Sequence, residues 1–148
     1  MKKKVALATV LAALAVALTI PAFSSAHTVL TAHATGGQIV NPGGGDPKGA
    51  ATFVLKVNRV KSRICFNIKF SKIKDATSAH LHKGRAGQIA RPIVTFFDRG
   101  VANSPQKGCV SAPSRVVSRL KRKPAQHYVD IDSRSRPNGA VRGQLSRN

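Results

Sequence analysis

The sequence predicts an all-β fold, an antiparallel Greek-key-like β-sandwich with one short helix, and three observations predict it. In ATFVLKVN, Phe53, Leu55 and Val57 alternate with Thr52, Val54 and Lys56; in RICFNIKF, Ile64, Phe66, Ile68 and Phe70 alternate with Cys65, Asn67 and Lys69. Successive strand residues face opposite ways, so strict period two over eight residues marks a half-buried strand. Further short apolar segments recur at a spacing of roughly 10–15 residues, the rhythm of a sandwich. Finally, the 148 residues hold no heptad and no internal repeat, and that length suits one domain.

Taken in order, the chain opens with MKKKVALATVLAALAVALTIPAFSSA. Three lysines precede an apolar run from Val5 to Ile20, then Pro21 and small residues. This is the layout of a secretory signal, too short for a membrane span, and no second span follows. Cleavage after Ala26 would leave His27 as the new N-terminus; cleavage after Ala34 is the alternative. Residues 27–49, rich in Gly, Thr and Pro, read as a flexible linker with at most a short edge strand at 38–40. The domain then spans residues 50–148. Beyond the two alternating strands, further strands are expected at 77–82, 92–97, 127–132 and 140–145. Ser114–Lys121 reads as a helix with Ser114 as N-cap and Pro124 beyond its end. Pro137-Asn138-Gly139 reads as a turn joining the last two strands.

Composition narrows the partners. The chain has 25 Lys and Arg against five Asp, with no Glu, a net charge of +20. Loss of residues 1–26 removes three lysines and no acid, leaving +17. Such a surface favours anionic envelope or extracellular polymers, or another protein, with membrane contact at most peripheral. The basic stretches lack interleaved aromatics, so no specific nucleic-acid site is expected. The oligomeric state is not legible. Cys65 and Cys109, an even pair in an exported chain, read as one disulfide; two free thiols or a cysteine metal ligand is the competing reading.

The chemistry centres on AHLHKGRAG, residues 79–87. On a strand His80 and His82 would project from one face. Two imidazoles completed by Asp132 would suit zinc or copper, as a metal carrier or an oxidoreductase. The competing reading has both histidines ordering the Gly84/Gly87 loop by binding its carbonyls, with no cofactor. Asp130 and Asp132 share a strand face with Tyr128, and Arg142 is expected to pair with these carboxylates across the hairpin. There is no Glu to act as base and no nucleophile-elbow motif, so no catalytic residue is assigned and the protein is read as a non-enzyme.

Together GDPKGAATFVLKV, RICFNI, AHLHKGRAG with PIVTFF, and HYVDID…RPNGAVRGQL resemble the chordin (CHRD) domain, in order from Gly45 to Leu145. The specific parts are His80, His82, Gly84 and Gly87 in H-x-H-x-G-x-x-G, Tyr128 in its strand, and Arg142, Gly143 and Gln144 in R-G-Q-L. The resemblance implies a β-sandwich module, repeated in the animal developmental antagonist chordin and single in many secreted bacterial proteins, mostly without known activity. Two positions depart from the family pattern. Arg91-Pro92 stands where Gly-Pro is usual, and Asp132 takes the place of the family's third histidine.

Overall fold

The computed structural model describes residues 27–101 and 103–147. The predicted signal segment, residues 1–26, lies outside the described residues. Nine strands and one helix follow in chain order. They are β1 (His27–Thr35), β2 (Ala50–Asn58), β3 (Arg63–Ser71), β4 (Ala76–Lys83), β5 (Pro92–Phe97), β6 (Gln106–Ser111), α1 (Ser114–Arg122), β7 (His127–Ser133), β8 (Arg136–Gln144) and the two-residue β9 (Ser146–Arg147). All the pairings are antiparallel, so the predicted all-β class holds.

The strands form one continuous sheet in the order β5-β4-β7-β8-β1-β2-β3-β6, with β9 also on β1. The sheet curls nearly into a barrel. Phe96 of β5 meets Phe66 of β3 and Phe53 of β2, with ring centroids 5.2 and 6.3 Å apart, although β5 lies at the far end of the strand order. Burying the alternate apolar residues on the inner face drives this closure. Phe53, Leu55, Ile64, Ile68, Leu81, Val129, Ile131 and Val141 are all fully buried there. Val117 and Leu120 join them from α1, which lies against β2.

Several expectations are corrected. Residues 27–35, read as linker, form β1, an interior strand paired with β2 over its whole length and with β8 and β9 on its other side. Its buried residues are Leu30, Ala32 and Ala34, so the alternation is between small side chains and is quiet in the sequence. The short strand expected at 38–40 is instead a 3-10 turn at Gly36–Gln38 followed by irregular chain. The rest of that segment is tied to β8, where Asp46 N–H donates to the Ala140 carbonyl at 2.7 Å.

The β7–β8 turn falls at Arg134-Ser135, closed by Arg136 N–H donating to Ser133 Oγ, while Pro137, Asn138 and Gly139 lie within β8. Gly139 has φ +119°, and a Cβ there would meet the Ile39 side chain at 2.5 Å, so this Asn-Gly serves packing rather than the turn. The helix has Pro113 at its N-cap, whose carbonyl receives Val116 N–H, and Ser114 contacts Ser62 instead. Finally, β6 has no expected counterpart. It carries Cys109, opposite Cys65 of β3, and the two are joined as a disulfide.

Candidate functional site

Three neighbouring strands lay the site residues in rows. On β4, His80 stands opposite Asp130 of β7, which stands opposite Arg142 of β8. The next row is His82, Tyr128 and Gln144, and the preceding row pairs Ser78 with Asp132. Period two puts all of these on the outer face, because the intervening Ala79, Leu81, Val129 and Ile131 fill the core.

The outer face is nevertheless covered, since the loop of residues 84–91 folds back over it. His82 Nδ1–H donates to the Ala90 carbonyl at 2.8 Å. The Tyr128 hydroxyl accepts from Ala90 N–H at 3.1 Å and donates to the Ala90 carbonyl at 3.2 Å. The Arg142 guanidinium donates to the carbonyls of Gln88 at 2.7 Å and Arg85 at 3.0 Å. Gln144 Nε2 reaches the Gly84 and His127 carbonyls, both at 2.8 Å.

Both loop glycines have a physical reason. Gly87 sits at φ +79°, and a Cβ on Gly84 would lie 3.0 Å from the Tyr128 ring. Of the residues that carried the resemblance, His82, Gly84, Gly87, Tyr128, Arg142 and Gln144 therefore form one loop clamp. This bears out the loop-ordering role for His82; His80 takes no part in it.

His80 turns to the carboxylates instead. Its Nδ1 lies 3.4 Å from Asp130 Oδ1 and 3.3 Å from Asp132 Oδ2, and Asp132 also accepts from Ser78 Oγ at 2.9 Å. His82 Nε2 lies 2.8 Å from Asp130 Oδ2. The expected pairing of Arg142 with these carboxylates is not found. Its guanidinium stacks on Tyr128, 3.5 Å from the ring centroid, and is spent on the loop carbonyls. The predicted trio His80/His82/Asp132 is also revised. The donors brought closest belong to His80, His82 and Asp130, within 4.8 Å of one another, and Asp132 flanks them through His80.

The electrostatics follow from this geometry. The adjacent carboxylates, Asp130 first and then Asp132, outweigh burial and raise the His80 pKa to about 9. Burial pushes the Asp130 carboxyl up, but the two imidazoles outweigh it and hold it below the usual carboxylate range. The cluster opens on a cavity of about 180 Å³, walled by Ile39, Asn41, Ile89, Pro92 and Pro137. Asn41 donates across its rim to the Asn138 carbonyl.

The frame is all-β, and one clamped loop lies over a single histidine–carboxylate cluster. The family model of the CHRD domain matches residues 30–145, and the chain belongs to the CHRD domain family. The match begins inside β1, in agreement with that strand being part of the domain. CHRD domains are generally not enzymatic and are typical of extracellular proteins. Comparison with curated proteins and with solved structures found no match. No helix among the described residues is long and apolar enough to cross a membrane.

Proposed function

We propose that the protein is an exported, non-catalytic binding module whose basic face associates with anionic polymers of the cell envelope or extracellular space. One observation carries this reading, the charge around α1. Arg115 and Arg119 of α1 line a groove with Lys83; Arg122 and Lys123 line a second groove with Arg85. Neither groove contains an acidic residue. Six cations shared between two grooves match a repeating anion such as a polyphosphate or polyuronate better than a single small ligand. The signal-like segment at residues 1–26 and the family's extracellular character support the location.

The test is binding of the purified protein to isolated envelope polymer across a salt series. Affinity should fall steeply between about 0.05 and 0.5 M salt as the Debye length shrinks. The triple substitution Arg115→Ser, Arg119→Ser and Arg122→Ser should weaken it by roughly tenfold or more. Salt-insensitive binding, or no binding, would refute the proposal.

A further inference from the structure

His80 Nδ1, His82 Nε2 and Asp130 Oδ1 are buried and none makes a hydrogen bond of normal geometry, although the two imidazole nitrogens stand only 2.8–3.4 Å from the Asp130 and Asp132 carboxylates. Polar atoms left this way are costly, and three in one place call for a common partner. We propose that this cluster binds a first-row divalent metal ion, zinc or copper, through His80, His82 and Asp130, with Asp132 as the flanking carboxylate. The site is independent of the basic grooves beside α1 and does not rest on the polymer reading.

The tautomer of His82 is the first argument. The Ala90 carbonyl can only accept, so the Nδ1 that meets it at 2.8 Å carries the proton. In the neutral ring Nε2 then holds a lone pair, and it faces Asp130 Oδ2 at 2.8 Å. Two lone pairs at that distance repel unless a cation is shared between them. Metal-bound histidines typically give their other N–H to a carbonyl or carboxylate, which fixes the ring as Ala90 does here.

Spacing is the second argument. Bonds of about 2.0–2.1 Å in a tetrahedral shell place neighbouring ligand atoms about 3.3 Å apart. Asp130 meets His82 Nε2 through Oδ2 at 2.8 Å and His80 Nδ1 through Oδ1 at 3.4 Å, and one ligand atom from each of the three residues lies within 4.8 Å of the others, so a small closing movement brings the set to that spacing. The donor set then selects the ion, since two imidazoles with a carboxylate suit zinc or copper, whereas calcium and magnesium take oxygen shells.

The third argument is the surroundings. Arg142, the nearest fixed cation on β8, is held by Gln88 and Arg85 and leaves Asp130 to the histidines. The adjoining cavity provides room for water or an exogenous group as a further ligand.

A shared proton between His82 and Asp130 is the rival occupant, and the experiment separates the two. Purified protein stripped with a chelator is titrated with Zn²⁺ and with Cu²⁺ by calorimetry. One saturable equivalent is expected for at least one of the metals, together with a rise in Tm, because the ion binds the folded state. Asp130→Asn and His80→Gln should each weaken binding at least tenfold. Histidine ¹⁵N spectra of the wild type with Zn²⁺ should show His80 Nδ1 and His82 Nε2 shifting while His82 Nδ1 stays protonated. Those spectra decide alone if a variant fails to fold. The proposal falls if the folded wild type takes up no stoichiometric metal, if folded Asp130→Asn binds as well as wild type, or if the shifted resonances belong to His27 or His33.

Discussion

The Tyr128 ring lies on the His82 imidazole, 4.4 Å between centroids and 5° from parallel. Arg142 covers the opposite face of the same ring, so the three side chains form one stack. Each member also reaches the loop of residues 84–91, His82 and Tyr128 at Ala90 and Arg142 at Gln88 and Arg85. The loop is therefore ordered by side chains from three different strands, and the site beneath it inherits that order.

The Tyr128 hydroxyl is the part of this clamp that can be removed without disturbing the stack. Tyr128→Phe keeps the ring but leaves Ala90 without two hydrogen bonds. A loss of about 1–2 kcal/mol in urea unfolding is expected, with faster amide exchange at Ala90. Unchanged exchange there would show that the hydroxyl does not hold the loop.

Gly143 tests the frame behind the clamp. A Cβ at this position would lie 2.8 Å from the His33 carbonyl oxygen and 3.0 Å from Ala34 Cα, both backbone atoms of β1. Backbone cannot swing aside as a side chain does, so Gly143→Ala must push β8 from β1. A cost of roughly 1–3 kcal/mol is expected in thermal or urea unfolding. A neutral outcome would show that the two strands do not approach so closely.

These positions also show what the sequence could and could not reveal. β2 and β3 were legible because Phe and Ile alternate with Lys, whereas β1 buries mainly alanines and β6 alternates only between half-buried and exposed positions. His80 and His82 were legible from spacing alone. Which aspartate meets them was not, because Asp130 and Asp132 occupy the same face and only the β4–β7 register, with His80 opposite Asp130, distinguishes them. Arg142 was correctly placed as the cross-strand neighbour of Asp130. Its direction depends on loop carbonyls 54 and 57 residues away, a separation no local pattern reports.

The Cys65–Cys109 bond joins β3 to the edge strand β6 and closes a loop of 44 positions. Thiol counting on the denatured protein should find no free thiol, and two reactive thiols would refute the bond. Double substitution to Ser should cost roughly 3–4 kcal/mol in the chain-entropy picture.

The last prediction concerns pH. In metal-free protein His80 has a folded pKa of about 9, set by Asp130 and Asp132, against about 6.5 in the unfolded chain. The folded state therefore holds this proton more tightly. The resulting stabilisation is fully present below about pH 6.5 and is lost as pH rises through about 9. His127 behaves oppositely, because burial lowers its pKa and favours the folded state on the alkaline side. The whole-protein curve mixes the two, so the informative quantity is the stability difference between wild type and His80→Asn, measured with chelator present. That difference should be level in mild acid and shrink between about pH 6.5 and 9. A difference that is flat or grows across this window would mean that His80 is not held as an imidazolium between the two carboxylates.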